Sequence, residues 1–68
     1  MTTNREILEK ALKNNELVSF LLLSNLTNAE TNVRIVYLQN DDVYNKEFLF
    51  ETTNGDRFTG FENNIKFI

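Results

Sequence analysis

Residues 16–24 read ELVSFLLLS, and whether this run is a strand or the continuation of a helix decides the fold. Extended, it is apolar on both faces, with Leu17, Ser19, Leu21 and Leu23 pointing one way and Val18, Phe20 and Leu22 the other. Helical, it is apolar nearly all round and joins the preceding segment into one helix from Asn4 to Asn25. The strand is favoured, because Asn14-Asn15-Glu16 interrupts the helical stripe and the apolar run itself spans only Leu17 to Leu23. Such a strand buries two faces, one toward a barrel interior and the other beneath the N-terminal helix. A chargeless, β-prone heptad also needs protection inside a sheet, or it becomes an aggregation site.

Upstream, Thr3-Asn4-Arg5-Glu6 fits a capping box, in which hydroxyl and carboxylate satisfy free backbone N–H groups. Ile7, Leu8, Ala11 and Leu12 share one helical face, and Glu6–Lys10 and Glu9–Lys13 are favourable i,i+4 pairs. Asn14-Asn15 is the expected stop, since Asn tolerates the left-handed conformation that ends helices. The helix predicted over residues 4–14 is short. At ~1.5 Å per residue against ~3.3 Å for a strand, it covers only part of Leu17–Leu23. Any uncovered leucine forms an apolar patch of the kind that marks an interface. Leu8, Leu17, Leu21 and Leu23 are therefore the candidate interface residues, where a homodimer or a protein partner is expected.

Downstream, Asn25 to Asn32 is polar and reads as a loop. Val33–Leu38 is the second strand, with Val33, Ile35 and Tyr37 on one face. Gln39-Asn40-Asp41-Asp42 is a turn cluster. Val43 and Tyr44 are placed at the start of the next strand, whose firmer part is Glu47–Thr52, with Phe48, Phe50 and Thr52 on one face and Glu47, Leu49 and Glu51 on the other. Asn54-Gly55 then signals a type I′ hairpin into Asp56–Phe61. Gly60 marks a bulge or a close backbone approach. A turn at Glu62-Asn63-Asn64 precedes a last strand, Ile65–Ile68. The chain is thus predicted to be a single small domain over residues 1–68, mainly β with one N-terminal helix: a five-stranded, strongly bent antiparallel sheet or a small SH3-like/Sm-like barrel.

Composition narrows the chemistry. The 68 residues include no Cys and no His, which removes disulfides, thiol nucleophiles, the usual zinc sites and the commonest general base. Net charge is −3, and the seven basic residues, Arg5, Lys10, Lys13, Arg34, Lys46, Arg57 and Lys66, are never adjacent. Phosphate-backbone binding draws on clustered Lys and Arg, so non-specific nucleic-acid binding is disfavoured. The N-terminal MTTNREILEKALKNN lacks an apolar signal core, and Phe20–Leu23 is far short of a membrane span of ~20 residues. A soluble cytoplasmic protein is the expectation, with no membrane partner. The richness in Asn, Lys, Ile and Leu hints at an AT-rich genome, such as that of a low-GC bacterium or its phage.

The segment Asn54–Gly60 holds both glycines with Arg57 between them, yet no helix N-terminus, third Gly or Lys-Ser/Thr follows, so a phosphate cradle is set aside. Glu47 with Glu51, and Asp41-Asp42, are carboxylate pairs in settings that predict solvation rather than acid–base or metal chemistry. No Ser or Thr stands in a nucleophile setting. No catalytic, cofactor-binding or metal-ligating residue is assigned, and the chain is not expected to be an enzyme. Of the eight aromatics, Tyr37, Tyr44 and Phe61 are the best candidates for exposure. With Arg34 and Arg57 they form the candidate binding surface.

With its elements placed, the chain resembles the Sm-like and SH3-like small barrels. Within that group, ALKNNELVSFLLL and GDRFTGFENNIKFI look most like the WYL-type and YolD-like bacterial barrels, which open on a helix, a short gap and an apolar strand. Glu47-Phe48-Leu49 stands where the Trp-Tyr-Leu signature would be, and no helix-turn-helix is attached. The resemblance implies ligand or nucleic-acid sensing, with Arg57 near the basic strand position. Two functions follow as expectations. One is a non-catalytic, accessory or regulatory domain acting through protein–protein interaction. The alternative is a ligand- or nucleic-acid-sensing small barrel of transcription-regulator type, which needs Arg34, Arg57 and Lys66 on one face beside an exposed aromatic such as Tyr37.

Overall fold

The helix ends where the asparagines place its end, and Leu17–Leu22 within the run of residues 16–24 is a strand. A computed structural model describes residues 3–68; Met1 and Thr2, the first residues of the N-terminal stretch read above, lie outside the described residues. Helix α1 spans Asn4–Asn14, with the Thr3 hydroxyl accepting the Glu6 backbone N–H at 3.2 Å. Asn15 adopts φ 55°, ψ 45°, its N–H reaches the Leu12 carbonyl, and the Glu16 N–H reaches that of Ala11 at 2.9 Å. This pair of bonds about a left-handed residue is a Schellman stop. The chain therefore leaves the helix in a new direction, and β1 begins at Leu17.

The strands are β1 Leu17–Leu22, β2 Asn25–Asn40, β3 Glu47–Glu51, β4 Arg57–Phe61 and β5 Ile65–Phe67, with a single 3₁₀ turn at Glu62–Asn64 before β5. All paired neighbours are antiparallel, in the order β4-β3-β2-β1-β5. The fold class is the expected one, mainly β with one helix and a five-stranded antiparallel sheet. β4 and β5 remain its two edges, so the sheet does not close into a barrel.

β1 buries one face only. Phe20 is fully buried, Val18 and Leu22 pack against the same cluster, and Leu17 and Leu23 are 59% and 50% exposed. The helix does not cover a second face. Leu8 and Ala11 join Phe20, Val33, Ile35, Phe48, Phe50 and Ile65 in one core. A short sheet with a single helix has apolar material for one layer, so the leucines on the other side of β1 stay outside. Leu8 is wholly buried, which makes it part of that cover and removes it from any interface. Phe20 centres an aromatic group, with ring centroids 5.0 Å from Phe50, 6.3 Å from Phe58 and 6.1 Å from Phe67.

The expected loop at Asn25–Asn32 is instead the first half of β2, joined to β1 through Leu23-Ser24. Its side chains are almost all exposed, so it carries no apolar alternation. Backbone pairing with β1 makes it a strand. The pairing is irregular: Phe20 faces Glu30 while Leu22 faces Asn25, so the extra β2 residues arch out of the ladder. Asn32, at φ 53°, donates its N–H to the Ser19 hydroxyl at 3.0 Å within this irregular stretch.

A second irregularity re-aims β2. Ile35 faces Phe50 and Tyr37 faces Leu49, so Val36 is extra and the alternation shifts by one. Val33 and Ile35 point into the core, but Tyr37 points out and Leu38 turns in, opposite Phe48. Tyr37 is thus not on the Val33–Ile35 face. Such a bulge bends a strand and changes which side chains it presents. Val43 and Tyr44 do not begin β3. They lie in a bend where the Asp42 carboxylate accepts the Tyr44 N–H at 2.9 Å, which takes the backbone out of the sheet.

The hairpin between β3 and β4 is where Asn54-Gly55 places it, but it is not a type I′ turn. Gly55 has φ 86°, while Asn54 is not among the residues of positive φ. The Gly55 N–H reaches the Thr52 carbonyl at 3.0 Å and the Thr52 N–H reaches that of Asp56 at 2.8 Å. This is a three-residue loop, Thr53-Asn54-Gly55, with glycine alone in the left-handed position. Gly60 marks a close approach. The β3–β4 ladder is regular through it, and a Cβ there would lie 3.1 Å from the buried Phe50 ring.

Candidate functional site

Register places the candidate binding residues on the face of β2-β3-β4 that points away from the core. Three rows cross it. Arg34, Glu51 and Arg57 form the first, Tyr37, Leu49 and Thr59 the second, and Asn40, Glu47 and Phe61 the third. Between them, Ile35–Phe50–Phe58 and Leu38–Phe48–Gly60 point inward, the alternation that a pleated sheet enforces. Four of the five candidates, Arg34, Tyr37, Arg57 and Phe61, are therefore neighbours. Tyr37 is 49% exposed and Phe61 41%, and the bulge at Val36 is what brings Tyr37 to this side.

Glu51 organises the first row. Its two oxygens accept separately, Oε1 from Arg34 Nη2 at 2.9 Å and Oε2 from Arg57 Nε at 3.1 Å. The Arg34 hydrogen bond, and then that of Arg57, hold the Glu51 carboxyl below the usual carboxylate range. Each guanidinium gives one nitrogen to Glu51, and both arginine side chains are partly exposed. The row carries a net positive charge, because two arginines share one carboxylate.

Tyr44 is elsewhere. It is 85% exposed in the bend before β3, beside a depression of about 370 Å³ lined by Thr3, Asn4, Arg5, Tyr44, Glu62 and Asn63. The polar groups here are spent on one another. Arg5 binds Glu62 through two nitrogens, with Nε–Oε2 at 2.9 Å, and donates to the Val43 carbonyl at 2.7 Å. Glu62, only 4% exposed, also accepts the Lys46 N–H at 3.0 Å. Asn4 Nδ2 donates to the carbonyls of Glu62 and Ile65 at 2.9 and 2.6 Å. The Arg5 hydrogen bonds, helped by the Lys46 N–H, pull the Glu62 carboxyl below its ordinary range against the opposing effect of burial. This node fastens the start of α1 to the 3₁₀ turn and the β2–β3 connection. It ties helix to sheet beside the core packing of Leu8 and Ala11.

Of the candidate interface leucines, Leu17 and Leu23 are exposed, Leu21 is half-buried and Leu8 is core. Leu17 lies opposite Arg34, at the β1 end of the first row, whereas Leu21 lies opposite Lys66 on β5. Leu49 and Thr59 were not singled out in the sequence as surface residues, and Glu51 was read as solvated without its two arginine partners. A signal for Glu51 exists, because a hairpin at Gly55 brings it opposite Arg57. Arg5 and Glu62 are 57 residues apart, and no local pattern pairs them. Among the described residues no cluster of three or more acidic or metal-ligating side chains could hold a metal ion, and no helix is long and apolar enough to cross a membrane. Neither protein-family models, nor curated proteins, nor solved structures give a match to this chain.

Proposed function

We propose that this chain is a non-catalytic small binding domain, an accessory or regulatory protein that acts in the cytoplasm of a bacterium or in phage infection through protein–protein contact. The observation that carries the reading is the outer face of β2-β3-β4, where Tyr37, Leu49 and Phe61 lie beside two arginines fixed by one carboxylate. Exposed aromatics and arginines are the residue types enriched at protein interfaces, because they combine large contact area with directional donors. A shared carboxylate also holds both guanidiniums in place before binding, which lowers the ordering cost on contact.

The sensing alternative draws on the same face, since Arg34 and Arg57 share it with Tyr37. Against it, Lys66 stands on β5 beyond β1, both arginines are tied to Glu51, and the chain is net −3. The order of one helix followed by five strands is the feature behind the likeness to the Sm-like and SH3-like barrels. Fold likeness by itself carries no function.

Affinity capture with the wild-type chain, in parallel with a Tyr37→Ser/Phe61→Ser double variant, tests the reading. The expected result is a protein retained by the wild type and lost from the folded variant. Capture indifferent to the double change would overturn it. A fluorescent random oligonucleotide bound tightly at physiological salt, with binding that weakens steeply as salt rises, would promote the alternative instead.

A further inference from the structure

The outer face of β2-β3-β4 is charged asymmetrically along the strands. Its first row is net positive through Arg34 and Arg57 around Glu51, its middle row of Tyr37, Leu49 and Thr59 is uncharged, and its last row carries Glu47 beside Phe61 and Asn40. Glu47 and Glu51 stand four positions apart on β3, about 13 Å of extended chain. A surface that is positive at one end, apolar in the middle and negative at the other is complementary to itself once its direction is reversed.

We infer that the occupant of this face is a second copy of the chain, stacked sheet on sheet about a two-fold axis along the Tyr37–Leu49–Thr59 row. The inference rests on the reading of this face as the binding surface. An axis in the interface plane and across the strands reverses strand direction while keeping β2 over β2 and β4 over β4. The middle row then meets itself, and each first row meets the last row of the other copy. Arg57 lies over Phe61 of the second copy and beside its Glu47, a geometry that offers both a cation–π contact and an ion pair. Arg34 comes over Asn40. Glu51 approaches Glu47 of the second copy, so the two arginines that neutralise Glu51 are required for contact. Every contact occurs twice, as an isologous interface demands. An axis parallel to the strands would place the positive rows on each other, and that arrangement is excluded by charge.

The patch is three strands wide and centred on the five residues of β3, smaller than the ~800 Å² per partner of a standard interface, so the dimer is expected to be weak, with a Kd on the order of 100 µM. Its ion pairs lie at the surface, and raising salt from about 0.05 to 0.5 M should weaken association by roughly tenfold.

Sedimentation equilibrium of the full chain up to about 1 mM is the test. Thr59→Arg places like charges against each other across the axis at an exposed position with no side-chain hydrogen bond, and the variant is expected to be folded and monomeric. Glu47→Arg alone and Arg57→Glu alone are each expected to lose association, while an equimolar mixture of the two recovers a one-to-one heterodimer. In the mixture each first row again meets a last row of opposite net charge. A wild-type chain that stays monomeric at 1 mM overturns self-association, and leaves the protein-binding reading to its own capture experiment. A dimer indifferent to Thr59→Arg overturns this face as its interface.

Discussion

Gly55 and Gly60 lie five residues apart and are required for different reasons. At Gly55 a Cβ would meet nothing within 4 Å, and the whole demand is backbone, φ 86°. Gly55→Val therefore has room but strain, and should cost about 1–3 kcal/mol. Gly55→Asn should cost less, since Asn tolerates the left-handed region. Thermal melting of both variants checks this, and an unchanged melting temperature for the valine would remove the turn. At Gly60 the demand is space, because the nearest atom of a fully buried Phe50 ring leaves 3.1 Å for a Cβ. Sequence marks both positions, but only Gly55 carries a local signal, in Asn54-Gly55. The reason for Gly60 sits on the neighbouring strand.

At the scale of the element, β2 departs furthest from its pattern. Val33, Ile35 and Tyr37 alternate perfectly in sequence, yet the extra Val36 puts Tyr37 outside and Leu38 inside. The two readings give opposite mutational results. With the bulge, Leu38→Ala removes packing against the core and should cost about 2 kcal/mol. Tyr37→Ser should cost less than half as much, losing only strand propensity and its cross-strand contact with Leu49. Chemical denaturation of the two variants decides the matter, and the reverse order would restore Tyr37 to the core. The bulge is invisible to a period-of-two reading because a one-residue shift flips every later side chain without changing composition. Asn25–Asn32 shows the complementary failure, being a strand held by its partner's backbone while its own side chains stay polar.

At the scale of the whole molecule, folding favours the ionised forms of two carboxylates. Glu62 is held low by Arg5, and Glu51 by Arg34 and then Arg57. A carboxyl depressed in the folded state contributes stability that is complete above its unfolded value, near 4.5, and is lost as pH falls through the folded value. The melting temperature should therefore be flat through neutrality and fall below about pH 4.5. Glu62→Gln should lower stability at pH 7 by about 2 kcal/mol, less than is usual for a broken buried pair because Arg5 is one-third exposed and can turn to water. The same variant should show a shallower acid decline than the wild type. A melting profile from pH 7 to 3 checks both, and parallel profiles would mean that Glu62 is not among the titrating groups.

The boundaries of α1 and the placement of all five strands' core segments were legible from the chain, because a Thr cap, an Asn stop, an apolar run and an Asn-Gly turn are each local physics. Of the four candidate binding residues that fall together, Arg57 and Phe61 were legible for the same reason, since alternation within β3 and β4 and the hairpin between them assign both to the outer side. Local signals do not say how strands register against each other. That decided the bulge at Val36, the carboxylate shared by Arg34 and Arg57, the single-sided burial of β1 and the Arg5–Glu62 joint. Each is a contact between segments distant in sequence, whose energy exists only once the sheet has brought them within hydrogen-bond or van der Waals reach.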